Sequence, residues 1–139
     1  MQRFTEDTLA QYNAGPLYQT IGIRMLEVAH GEARSVMNPV QNVCWPTPGQ
    51  PHGGIIFTII DTTAAFAAMS NAAEGSGCAT VDCNIQYTAP ARKAPFTCQA
   101  LTTHKAGRTV FVRADLKDAD GAIVALAQAT FRILVPRKE

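Results

Sequence analysis

The feature that constrains this chain most is a long apolar stretch that follows two glycines and contains a single carboxylate. His52-Gly53-Gly54 leads into Ile55–Asp61, and an Ala-rich run continues to Met69, with the next glycine at Gly75. This length without Gly or Pro predicts a loop that enters a helix of about four turns. Apolar residues lie on every side of that helix, so we expect burial on most sides. Asp61 then needs a reason to be there, because burying an unpaired carboxylate is unfavourable.

Residues at helical spacing form a narrow polar stripe around Asp61. The opposite side is larger and apolar and is predicted to pack against a sheet, so that the stripe faces a cleft. A structural alternative is that the Asp61 carboxylate bonds to Thr58 or Thr62 and takes no part in chemistry. The stripe comprises Thr58, Asp61, Thr62, Ala65 and Met69, and the apolar side comprises Ile55, Ile56, Ile59, Ile60 and Phe66.

The composition limits which binding partners and which cellular compartment we expect for this protein. The 139 residues suit one domain, here 1–139, and a net charge of +1 with 17% charged residues indicates no nucleic-acid partner. The apolar run is broken by Thr58 and Asp61 before it reaches the roughly 20 residues needed to cross a bilayer. No secretory signal pattern opens the chain, so we expect a cytoplasmic location and no membrane association. The four cysteines lack the spacing of metal ligands, which predicts free thiols and no metal site.

Periodicity along the chain predicts an α+β fold in which an antiparallel sheet wraps around one long helix. An N-terminal helical extension occupies residues 1–20, and a Pro-rich loop spans 38–51. Turn chemistry at Ala106-Gly107-Arg108 and at Asp118–Gly121 predicts two hairpins. The predicted elements are a helix over Phe4–Asn13, strands over Met25–Ala29 and Ala33–Met37, the long helix, and strands over Ala79–Thr88, Phe96–His104, Thr109–Lys117 and Ile123–Val135.

The strand over Ala79–Thr88 has the clearest alternation in the chain. Its period of two places Val81, Cys83, Ile85 and Tyr87 on one side, with Thr80, Asp82, Asn84 and Gln86 on the other.

Three motifs together resemble the PaaI-like acyl-CoA thioesterases of the hotdog-fold superfamily, over roughly residues 20–135. They are the HGG at 52–54, an aspartate nine residues after its histidine, and the strand 80–90 that ends in Tyr-x-x-Pro. The resemblance implies a helix wrapped by a sheet, and two subunits whose sheets pair edge to edge with active sites between them. It therefore implies a homodimer, often paired into a homotetramer, with acyl-CoA as substrate and no cofactor beyond the coenzyme A of that substrate.

The resemblance also assigns roles at the site. Asp61 would be the base or nucleophile, Gly53 N–H the oxyanion donor, and Thr80 the residue that helps to hold the attacking water. The first amides of a helix lack internal partners and lie at the positive end of its dipole, which suits them to a developing oxyanion. The family usually has an amide side chain before HGG where this chain has Pro46. Asn42 and Gln50 are the candidate substitutes, and Gly54 and Thr62 complete the candidate substrate contacts.

Several candidates keep an alternative interpretation. His52 is a candidate catalytic residue, but a histidine just before a helix more often fixes the loop through a hydrogen bond. Cations in two turns are expected at one edge, where they would meet the phosphates of coenzyme A. The alternative is that they form a solvated rim. Trp45 and Phe57 line an acyl pocket or belong to the core. The cations are Arg92, Lys93, Lys105 and Arg108.

The resemblance therefore implies hydrolysis of an aromatic or short- to medium-chain acyl-CoA. A hotdog hydratase or dehydratase is a poorer fit, because its catalytic histidine and acid belong on one element, whereas His52 and Asp61 are nine residues apart. A non-catalytic acyl-CoA binding or scaffold protein is the other alternative, and the unusual loop before HGG is its support.

Overall fold

A computed structural model of the protein describes residues 1–44 and 50–136. Two strands, a long helix and four further strands follow one another as predicted, which confirms the α+β class. The elements are α1 (Glu6–Asn13), α2 (Pro16–Ile21), β1 (Ile23–Ala29), β2 (Glu32–Met37), a 3₁₀ turn (Gln41–Val43), α3 (Gly53–Met69), β3 (Gly77–Tyr87), β4 (Phe96–Ala106), β5 (Thr109–Lys117) and β6 (Ile123–Leu134).

The six strands form one antiparallel sheet in the order β1-β2-β4-β5-β6-β3, so β1 and β3 are its edges. Helix α3 contacts all six strands. Its sheet side is buried as predicted, at Ile56, Ile59, Ile60 and Phe66. Burial extends over most of the helix, as expected, since Gly54 is the one exposed residue among its 17. Every residue of the polar stripe, and Ile55 as well, remains partly exposed.

Strand β3 departs from simple alternation at a bulge between Thr80 and Asp82. Val81 is the extra residue and is 63% exposed. Because a bulge opposes two residues to one, it moves the following side chains by one position relative to the pleat. Thr80 consequently faces α3, on the same side as Cys83, and not the opposite side as the alternation predicted.

The N-terminal extension contains two short helices. Helix α1 begins at Glu6, later than expected, because the Thr5 side chain accepts a hydrogen bond from Thr8 N–H at 3.2 Å and caps the helix. Pro16 starts α2, where its missing N–H is no disadvantage. The rings of Phe4 and Tyr12 pack edge-on against Phe66, with centroids 5.3 and 4.9 Å away, and cover that side of α3.

The residues on either side of segment 45–49 lie next to each other before α3 begins. His52 N–H donates to Val43 C=O at 3.1 Å, and Cys44 forms an isolated bridge with Pro51. Residues 45–49, which include Trp45 and Pro46, lie outside the described residues. None of the helices in the described parts of the chain has the length and hydropathy to cross a membrane.

Candidate active site

Asp61 lies near the middle of α3, and its partner comes from the sheet. Thr80 Oγ1 donates a hydrogen bond to Asp61 Oδ1 at 2.9 Å. Thr58, one of the two structural partners that the spacing suggested, instead donates to Gly54 C=O at 2.9 Å. The carboxylate is partly exposed on the polar stripe, so it is reachable from the open face of the helix while Thr80 fixes its orientation.

Two cysteines of β3 lie close enough to Asp61 to respond to its charge. Burial, and then the negative charge of Asp61, raise the pKa of Cys78 to about 11. The same two causes, with a smaller effect of Asp82, raise the pKa of Cys83. Both thiols are therefore protonated at neutral pH and are poor nucleophiles there.

The start of α3 is organised by His52, which is its N-cap. His52 Nδ1 accepts a hydrogen bond from Gly54 N–H at 2.9 Å, which assigns the ring proton of the neutral form to Nε2. A Cβ at Gly54 would stand 3.1 Å from Nδ1, so glycine leaves room for the cap. This geometry matches the loop-fixing interpretation of His52 better than that of a proton donor.

Gly53 provides the amide that the sequence predicted as an oxyanion donor. Within the described residues, its N–H has no hydrogen-bond acceptor. The Gly53 carbonyl accepts a hydrogen bond from Tyr87 Oη at 2.8 Å. Burial and the neighbouring Cys83 raise the pKa of Tyr87, so its hydroxyl is a donor at neutral pH. Sequence reasoning missed this contact, although Tyr87 ends a strand whose side chains face the helix.

The predicted cations do not share an edge within one chain, and that expectation is wrong. Arg92 and Lys93 precede β4, whereas Lys105 and Arg108 lie at its far end. Strand β4 is 11 residues long and spans roughly 35 Å, with the two groups at its opposite ends. Lys105 Nζ donates to Asn71 C=O at 2.8 Å, beyond the C-terminal end of α3.

At the other end, Arg92 lies beside the start of α3. Its Nε donates a long hydrogen bond, 3.4 Å, to Gln50 Oε1. Lys93 pairs with Asp120 on the surface. Asn42, the other candidate amide, is next to Val43, which bonds to the His52 backbone. Both substitute amides thus lie at the Gly53 end, and Thr62 remains on the stripe beside Asp61.

Known proteins share both the sequence pattern and the fold. The profile of the thioesterase superfamily matches residues 49–125, more than half of the chain. A protein of Saccharolobus solfataricus, provisionally named an esterase, is 28% identical over 121 residues, which are 87% of this chain and 85% of the relative.

Two solved structures are similar to the whole domain. The crystal structure of a Haemophilus influenzae thioesterase superposes with a TM-score of 0.85 at 18% identity, covering 95% of this chain and 92% of the other. The E. coli PaaI protein from the phenylacetic acid degradation operon gives 0.79 at 21% identity, covering 91% and 89%. These likenesses confirm the predicted hotdog fold.

Proposed function

The chain belongs to the thioesterase superfamily, and on that premise we propose that it hydrolyses acyl-CoA thioesters with an aromatic or a short- to medium-length acyl group. The observation that carries the proposal is the carboxylate of Asp61. It is partly exposed on the open face of α3 and is oriented by Thr80. The same helix begins at Gly53, whose N–H is a donor suited to a carbonyl oxygen that becomes an oxyanion.

In the proposed reaction, Gly53 N–H donates to the thioester oxygen as negative charge develops there. Asp61 takes a proton from water as the water attacks the carbonyl carbon, the C–S bond breaks, and the thiolate of coenzyme A leaves and is protonated. Alternatively, the carboxylate attacks directly and water hydrolyses the resulting anhydride. Either route consumes one water and yields a carboxylic acid and free coenzyme A.

The spacing along α3 supports a site between two subunits. Eight residues of helix separate Gly53 from Asp61 by about 12 Å. An oxyanion donor must lie about 3 Å from the oxygen, and a base must reach the attacking water at hydrogen-bond distance. This separation along one helix favours a site to which two protomers contribute one group each. A second copy would supply Asp61 to the Gly53 of the first.

Strand β3 is the edge that suits this pairing. It is 11 residues long, it is unpaired on its outer side in the single chain, and Asp82 is its sole charged residue. Long, nearly uncharged edges are normally covered, and pairing with an identical edge covers both. We propose a homodimer formed through β3, with further pairing to a homotetramer.

A thiol-release assay tests the activity. Coenzyme A release is measured over aromatic, short-chain and long-chain acyl-CoAs, with Asp61→Asn as the control for adventitious hydrolysis. Release from the aromatic or shorter substrates is expected. No release from any thioester, together with measurable binding, would favour the non-catalytic binding protein instead.

Mixing two inactive variants tests where the site lies. Gly53→Pro deletes the donor N–H at a position where proline is favoured, and the extended ψ of 145° at His52 suits a following proline. A mixed dimer of Gly53→Pro and Asp61→Asn would have two shared sites. In one of them the intact Gly53 of one chain meets the intact Asp61 of the other, and the second site has neither group. Random subunit exchange should restore about a quarter of wild-type activity. A mixture as inactive as its parents would place both groups in one protomer.

The hydratase alternative finds less support. It needs a histidine and an acid acting together, whereas His52 Nδ1 is occupied by the Gly54 amide and Asp61 lies more than two helical turns away.

A further inference from the structure

The start of α3 combines two residues that are poor at holding a backbone in place. Gly53 and Gly54 form the first helical positions, and glycine has the greatest conformational freedom of any residue. Helix ends also fray, because their first amides have no partners within the helix. A catalytic amide at this position needs external contacts that fix its direction.

Two side chains supply such contacts from either side of the glycine pair. His52 Nδ1 accepts from the Gly54 N–H, and Tyr87 Oη donates to the Gly53 carbonyl. A carbonyl oxygen can accept two hydrogen bonds, so Tyr87 adds to the helical bond that this carbonyl makes with the amide one turn later. The tyrosine ring also lies against Gly53, with its Cε1 and Cζ 3.5 Å from the position of a Cβ there. Tyr87 therefore restrains this residue by both a hydrogen bond and a packing contact.

The same strand restrains the other proposed catalytic group. Thr80 bonds to Asp61 and Tyr87 bonds to Gly53, and both contacts come from β3. The bulge after Thr80 is what lets both side chains face the helix. The edge strand thus holds α3 at two points, one at each of its proposed catalytic groups.

Resting on the proposed function, we propose that Tyr87 is a positioning residue, whose hydroxyl holds the first peptide of α3 so that Gly53 N–H faces the thioester oxygen. Tyr87 does not exchange a proton with the substrate in this role. Its contribution is made in the transition state, where the direction of the Gly53 amide matters most, and not in substrate binding.

The test compares Tyr87→Phe with Thr88→Val. The first variant removes the hydroxyl and keeps the ring. The second removes a neighbouring exposed hydroxyl that donates to Ile123 C=O at 2.9 Å, away from α3. We expect kcat of Tyr87→Phe to fall about tenfold with KM within about twofold, since misplacing an oxyanion donor weakens transition-state binding. Thr88→Val should retain wild-type kcat. Equal kcat in the two variants, at matched thermal midpoints, would overturn the proposal.

A second readout does not depend on turnover. In protein carrying ¹⁵N-glycine, Tyr87→Phe should shift the Gly53 and Gly54 amide resonances and accelerate hydrogen exchange at Gly54, while Thr88→Val leaves both unchanged. Unaltered glycine signals in Tyr87→Phe would refute the positioning role even in an active enzyme. If the wild type hydrolyses no thioester, the proposed function fails, and the amide measurements still decide whether Tyr87 holds the helix start.

Discussion

Asp61 is a partly exposed carboxylate whose orientation is fixed by a single residue of the sheet. The carboxylate is the one charged group of α3, and one hydrogen bond from Thr80 holds it. Asparagine keeps the shape and an oxygen that can accept the same bond, but it cannot act as a base. We expect Asp61→Asn to lower kcat by about 10²-fold or more. Its thermal midpoint should stay close to that of the wild type, because the side chain is partly exposed and the amide oxygen accepts the same hydrogen bond from Thr80.

Turnover and thermal midpoint are measured on one preparation, with Thr80→Ser as the control that keeps a hydroxyl. If Asp61 were only a structural acceptor, an amide turned toward the wrong neighbours would lower stability by roughly 1–3 kcal/mol. Near wild-type turnover from a destabilised protein would remove Asp61 from the mechanism.

The thiol of Cys78 reports on the charge of Asp61. Burial and that charge raise its pKa to about 11, so its thiolate fraction at pH 8 is small. Replacing Asp61 by Asn removes one of the two causes, lowers the thiol pKa and should speed alkylation by about twofold or more. Peptide-resolved mass spectrometry measures the rate, and buried Cys98 serves as the reference. An unchanged alkylation rate at Cys78 would show that the charge of Asp61 is too distant to affect this thiol.

Among the elements, the length of β4 determines which cations of one chain can contact the same substrate. Its length puts Arg92 at the Gly53 end and Arg108 at the other. If Arg92 contacts the phosphates of coenzyme A, Arg92→Ala should raise KM about three- to tenfold with little change in kcat, and added salt should mimic the effect. Arg108→Ala is the matched control. A KM change of the same size in both variants would indicate general attraction and not a phosphate contact.

For the whole molecule, the edge of β3 predicts the assembly. Light scattering should give at least twice the chain mass of 14.9 kDa. Val81→Lys introduces a charge on the edge strand and should shift the protein toward monomers and abolish activity, because lysine on an edge opposes strand pairing.

Leu101→Lys is the control for this variant, since it makes a similar change on the outer face of the central strand β4. It should leave the dimer intact. A wild-type protein that is monomeric at micromolar concentration would exclude the shared site.

Local patterns in the chain were sufficient for the elements. Periods of 3.6 and 2 in the sequence predict helix α3, its polar stripe and the order of the strands along the chain. Each period is set by residues within the segment itself. The step from Gly53 to Asp61 is equally local, because a helix converts residue number into distance. Errors at this level were small, such as the start of α1, where the cap at Thr5 was not anticipated.

What the sequence determined by itself was thus the set of elements and the candidates carried on one helix. The tertiary structure decided which side chains from distant segments meet them. The bulge at Val81 turned Thr80 toward Asp61, the register of β3 brought Tyr87 to Gly53, and the length of β4 separated Arg92 from Arg108. These contacts depend on strand register and on packing between residues far apart in the chain, and a period of two or 3.6 contains no information about either.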